Sequence, residues 1–141
     1  MSVTNNKELL KKAAQAFNTV EDRSAWYGFH AENVQAHGLG PGPLDKAGMK
    51  AFYTALWGGF PDLKIHIDEL VGEGDEVVWR ITASGTHDGP FQGVPPTGKP
   101  VKFGAHYTFR FDNGEIVERW STIDRLSLLM QIGAVPMPPK K

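Results

Sequence analysis

The chain has 141 residues, no cysteine, and 15 basic against 16 acidic residues, for a formal net charge of -1. That length suits one domain with a core of its own, and the missing thiols exclude disulfides, thiolate metal sites and a cysteine nucleophile. The balanced charge leaves no electrostatic footprint for nucleic acid or an anionic membrane.

The N-terminus, MSVTNNKELLKK, is polar where a signal peptide has its apolar core, and no apolar run approaches bilayer length. The expectation is a cytoplasmic protein with neither nucleic-acid nor membrane partners. Leu9, Leu10, Ala13, Ala14, Phe17 and Val20 recur at helical spacing, with Asn5 and Glu8 as a capping pair. A short second helix is predicted over Arg23–His30, capped by Asp22, although Gly28 weakens it. An extended piece, Val34–His37, leads into the loop GLGPGPL. Asp45 then caps a third helix with the stripe Met49, Phe52, Tyr53, Leu56 and Trp57, ended by Gly58-Gly59 and Pro61.

From Leu63 the period changes to two. Leu63, Ile65 and Ile67 alternate with polar residues in one strand, and Val77, Trp79, Ile81 and Ala83 do so in the next. GTHDGPFQGVPPTGKP is a loop on its glycine and proline content. Val101–Phe111 and Ile116–Leu126 read as a long hairpin about Asn113-Gly114, since both central residues of a type I′ turn need positive φ. A short helix, Ser127–Ile132, ends at Gly133, before a tail expected to fray over about 134–141. Helices followed by four antiparallel strands make an α+β pattern, with about three N-terminal helices on the concave face of a curved sheet.

A two-residue hairpin pairs Tyr107 with Trp120, Ala105 with Thr122 and Phe103 with Asp124. By alternation these six share one face. A carboxylate on so apolar a face is costly unless it has a partner or a task, which makes Asp124 the first candidate.

FPDLKIHIDELVGEGDEVVWR, GTHDGPFQGVPPTGK, DNGEIVERWSTID and LLMQIG, taken in order, resemble the SnoaL-like polyketide cyclase (ester cyclase) family of the nuclear transport factor 2-like superfamily. The resemblance runs from about Val34 to Gly133. It implies one cone-shaped SnoaL-like domain over 1–141, a pocket between sheet and helices, frequent homo-oligomers (here a dimer), and chemistry without a cofactor. In that family the aspartate four residues after the hairpin tryptophan is the general acid/base of an intramolecular aldol closure, and Trp120 and Asp124 stand at those positions. His37 stands where members carry a histidine after the first strand. The chain departs from the pattern at Ser127, where glycine is usual, and at Ile132, where leucine is usual.

The candidate catalytic residues are therefore Asp124 and His37, with Trp120, Tyr107, Phe103, Thr122, Trp57 and His87 as the substrate-binding set. Each has a purely structural alternative. Asp124 can cap the last helix at Ser127 or pair with Arg125 or Arg80. His37 can orient a carboxylate or bond to backbone, and His87 can belong to its turn or border the pocket mouth. Residues such as Trp57 and Trp120 are more often core than ligand platform. Glu118 is either a second pocket carboxylate or a surface group. The two-residue register puts His106 opposite Asp124, together with Arg119 and Ser121, and a bulge reverses that assignment. The histidines show no metal-ligand spacing, so no metal is expected, and there is no phosphate loop or nucleophile elbow. The leading reading is a cofactor-independent cyclase or isomerase acting on a hydrophobic carbonyl substrate. A hydroxylase or dehydratase on the same fold, or a non-catalytic binding module, is the alternative.

Overall fold

The computed structural model describes residues 2–136, 138 and 139; Met137, Lys140 and Lys141 of the tail expected to fray lie outside the described residues. Helix α1 (Val3–Phe17) starts one turn earlier than the spacing of Asn5 and Glu8 suggests, because the Ser2 hydroxyl accepts the Asn5 amide at 3.1 Å. Its stripe of Leu10, Ala13, Ala14 and Phe17 is buried. Helix α2 (Ala25–Gly28) is a single turn. The helix expected to reach His30 stops at Gly28, because from His30 the backbone is taken up by a sheet as β1 (His30–His37). Helix α3 (Lys46–Gly59) opens as predicted, with the Asp45 carboxylate accepting the Gly48 amide at 2.8 Å.

Four strands follow: β2 (Lys64–Glu73), β3 (Glu76–Thr86), β4 (Pro100–Asp112) and β5 (Glu115–Ile123), before helix α4 (Arg125–Gln131). The sheet order is β1-β5-β4-β3-β2. Strands β2 to β5 are antiparallel, whereas β1 pairs with β5 in parallel. The α+β architecture is as expected, with the parallel edge strand as a fifth member. The helices cover one face, where Trp79, Ile81, Phe103, Tyr107 and Phe109 meet Leu10, Phe17, Trp26 and Tyr53 in one apolar cluster. Burying each such aromatic contributes roughly 1.5–3 kcal/mol, so this contact dominates the driving force for folding.

The β4–β5 hairpin begins as the sequence implies. Asn113 (φ 50) and Gly114 (φ 78) both have positive φ, and Phe111 faces Ile116. The next pair, however, is Arg110 with Glu118, which leaves Val117 as an extra residue on β5. This is a β-bulge, and beyond it every side chain of β5 changes face. Tyr107 therefore opposes Ser121, not Trp120, and Ala105 opposes Ile123. Arg119 and Ser121 are buried, whereas Trp120, Thr122 and Asp124 are exposed.

The loop after β3 is tied down at both ends. Gly98 donates to the His87 carbonyl at 2.8 Å, and the amides of Asp88 and Gly89 donate to the Gly59 carbonyl at 3.2 and 3.1 Å. A Cβ at Gly59 would lie 2.7 Å from the Phe91 Cβ, so only glycine lets the loop seat on the end of α3. That seating brings Phe91 and Gln92 over the space between α3 and the sheet.

Candidate active site

A cavity of about 130 Å³ lies between α3, the inner face of the sheet, the seated loop and α4. Phe52 and Leu56 of α3, Ile81, Phe103 and Tyr107 of the sheet, Phe91 of the loop and Leu128 of α4 are among its walls. Among the described residues, the polar side chains on it are Tyr107, Gln92 and Arg125, and no carboxylate or histidine lines it. Gln92 is held at φ 50, a left-handed conformation unusual for a residue with a side chain. The Arg125 guanidinium is fixed at the rim, donating to the carbonyls of Gly38 (3.1 Å) and Leu39 (2.9 Å) and lying 5.5 Å from the Phe52 ring.

Behind Tyr107 lies a polar cluster with no exposure to water. Arg119, fully buried, donates from Nη2 to the Tyr53 hydroxyl at 2.6 Å and to the Ser121 hydroxyl at 3.3 Å. Its Nη1 lies 3.1 Å from His30 Nε2, while His30 Nδ1 lies 3.1 Å from the Trp26 carbonyl. A carbonyl only accepts and a guanidinium only donates, so these partners place the imidazole proton on Nδ1. Burial, reinforced by the Arg119 charge, pushes His30 down to about 3 and keeps the ring neutral. Tyr53 and Arg119 both approach the Tyr107 side chain. Burial, with Tyr53 adding to it, holds this phenol well above its usual range, although Arg119 pulls the other way. Tyr107 is thus a neutral hydrogen-bond donor beside an apolar cavity, suited to an oxygen that gains negative charge.

The sequence-derived candidates divide between the two faces. Tyr107 and Phe103 border the cavity. Asp124 does not: it is exposed, and its carboxylate accepts the Ser127 amide at 3.1 Å as the N-cap of α4. The expectation that it faces the cavity beside Trp120 is corrected, because the Val117 bulge turns Trp120, Thr122 and Asp124 outward together. His37 is also on the outer face. Its ring stacks on Trp120 at 5.4 Å and its Nε2 lies 2.8 Å from Glu118 Oε2, so it neither orients Asp124 nor reaches the cavity. Glu118 is held below the usual carboxylate range by that hydrogen bond and by a second from Arg110 at 3.0 Å. His106 shares the outer face with its partner Thr122, parted from Arg119 and Ser121 by the bulge.

His87 is fully buried, but not on the cavity. Its ring packs 5.4 Å from Phe60 and its Nδ1 lies 2.9 Å from the Thr97 hydroxyl, closing the loop on itself. Trp57 packs between Phe17, Tyr27 and Tyr53 with the Arg23 guanidinium 4.9 Å from its ring, again away from the cavity. The sequence reading missed Arg119 as an interior group, along with the polar use of His30, Tyr53 and Ser121. Arg119 alternates correctly for a surface position until Val117 is counted as extra, and nothing in the residue pattern marks that residue.

The chain matches the SnoaL-like polyketide cyclase family over residues 7–132. Among solved structures, AclR, a candidate hydroxylase from Streptomyces galilaeus, superposes with a TM-score of 0.91 at 30% identity, covering 99% of this chain and 87% of AclR. IdmH, a candidate polyketide cyclase from Streptomyces antibioticus, gives 0.80 at 29% identity over 91% of this chain and 98% of its own. A candidate SnoaL-like polyketide cyclase from a Jannaschia species gives 0.80 at 26% identity, over 94% of each chain. No curated protein matches the sequence significantly. With a family match across nearly its whole length, the chain belongs to the SnoaL-like polyketide cyclase family.

Proposed function

We propose that this protein is a cyclase acting without a cofactor on a hydrophobic carbonyl compound held in the apolar cavity, with the substrate oxygen directed to Tyr107. The observation that carries this reading is an uncharged phenol on a mainly apolar wall, backed by a buried guanidinium. In an intramolecular aldol closure the α-carbon gives its proton to water, the enolate carbon attacks a second carbonyl as that C=O π bond opens, and the resulting alkoxide takes a proton back from water. The walls fold the chain and Tyr107 donates to the oxygen that becomes negative. A substrate whose enolate is delocalised within its own ring system leaves least for a protein base to do, and among the described residues no carboxylate or histidine lines the cavity. Hydroxylation of the same kind of substrate is the second reading, favoured by the 30% identity to AclR.

The test is turnover of flat ketones and esters with an acidic C–H, read by mass. Ring closure gives a product isomeric with its substrate or lighter by one water, whereas hydroxylation adds one oxygen. Tyr107→Phe is expected to lower kcat by about 10²–10³-fold, the usual cost of one oxyanion donor, with the fold retained. Asp124→Asn is expected to change turnover by less than about 3-fold, since general acid–base residues cost ~10²–10⁴-fold when removed. Undiminished turnover by Tyr107→Phe, or collapse with Asp124→Asn, would overturn these assignments.

A further inference from the structure

Arg119 is fully buried, yet every group it bonds to is neutral: His30, Tyr53, Ser121 and, at 3.8 Å, the Met49 sulfur. Its Nε has no partner. The Tyr107, Phe109, Tyr53 and Trp26 rings surround the guanidinium at 4.8 to 5.7 Å. Such a cage lowers the cost of desolvating a cation but leaves its charge uncancelled. Arg23, the other buried arginine, is held by the backbone carbonyls of Phe17, Pro61 and Leu63. Arg110 pairs with Glu118, Arg80 with Asp68 and Lys46 with Glu32, all near water. At the far side of the cavity stands a second cation, Arg125, which bonds to carbonyls alone. Among the described residues no carboxylate pairs with either arginine, and none lines the cavity.

We propose that the cavity takes its ligand as an anion, an ionised enol or phenol oxygen on an apolar skeleton, hydrogen-bonded by Tyr107 with Arg119 as its buried counter-charge. The ligand then supplies the negative charge that the folded chain omits. The groups facing Arg119 from each packed element are Trp26 from α2, His30 from β1, Met49 and Tyr53 from α3, Tyr107 and Phe109 from β4 and Ser121 from β5. All are uncharged, so nothing in the shell competes with the ligand for the cation. Arg119 acts through Tyr107 and is a positioning residue. The proposal rests on the cavity being the binding site, and it narrows the substrate class to compounds that ionise at an oxygen near neutral pH.

The probe is 4-nitrophenol, whose phenolate absorbs in the visible, set against 4-nitroanisole, its neutral methyl ether. Bound to the full-length protein, nitrophenol is expected to ionise at a pH at least about one unit below its value in water, since a nearby opposite charge shifts such groups by roughly 1–3 units. Burial in an apolar cavity without the cation moves it the other way. Arg119→Met is expected to abolish the downward shift while leaving nitroanisole binding within about 2-fold. Should that variant fail to fold, Tyr107→Phe is expected to weaken phenolate binding about 10-fold relative to the ether. An unchanged or raised ionisation pH in the wild-type protein overturns the proposal, as does a shift that survives Arg119→Met. If the ether binds and the phenolate does not, the anion assignment falls while the cavity remains the site; if neither binds, both fall.

Discussion

The two faces of the β4–β5 hairpin carry polar clusters of opposite character a single strand thickness apart. On the outer face Glu118 accepts from His37 and Arg110, and His37 lies flat on a Trp120 that is 37% exposed. On the inner face Arg119 pairs with no carboxylate among the described residues and is held by neutral acceptors and aromatic rings. Exposed ion pairs of the first kind contribute little, typically ~0–1 kcal/mol. A dry uncompensated cation is costly, and its retention points to a role outside folding. The residue that separates these environments is Val117, which has no functional group.

Deleting Val117 is the strongest way to break this contrast. Without the extra residue the two-residue register extends along the hairpin, driving Trp120, Thr122 and Asp124 inward and Arg119 outward. The expected result is loss of cooperative folding, since several buried side chains are misplaced at once, and a thermal melt followed by circular dichroism checks it. A folded variant with native stability would mean that the hairpin face is set by something other than the bulge.

A smaller effect sharpens the inner cluster. His30 titrates at 6.5 when unfolded and at about 3 when folded, so below pH 6.5 the unfolded chain binds the extra proton. The stabilisation is complete above that pH and drains away as pH falls toward about 3, at about 1.4 kcal/mol per pH unit. Carboxylates such as Glu118 and Asp68, whose folded values are lowered, lose their contribution only below about 4.5. Denaturant midpoints between pH 6 and 5 therefore read His30 apart from those carboxylates, and His30→Asn is expected to flatten the slope there. An equally steep slope in that variant would assign the effect elsewhere.

The smallest expected effect lies on the outer face. Val71, Val78, Thr108, Trp120 and His37 are paired in one row across all five strands. Exposed Val71, Val78 and Trp120 make this row suited to a two-fold sheet-to-sheet dimer. Light scattering is expected to give about twice the 15.5 kDa chain mass, and Trp120→Lys to return it to the monomer value with the cavity intact. A wild-type mass of one chain rejects the pairing.

Much of the fold was legible in the residues because local chemistry dictates it. Asp45 caps α3 where its carboxylate can reach the Gly48 amide, the period change at Leu63 marks the first sheet hairpin, and Asn113-Gly114 makes the turn that positive φ requires. Those same rules placed Phe103 and Tyr107 on the inner face, and the cavity confirms that placement. What alternation alone did not determine was the parity of β5 beyond the turn. A bulge changes the face of every later residue without altering composition or periodicity, so Arg119 read as surface and Asp124 as interior. Nor did local chemistry announce the parallel pairing of β1 with β5, which joins residues more than eighty positions apart and brings His30 against Arg119. Sequence by itself determined helix α3, strands β2 to β4, the hairpin turn and the apolar wall. Tertiary structure decided which charge that wall encloses, because the face of a strand is set by its pairing and not by its own residues.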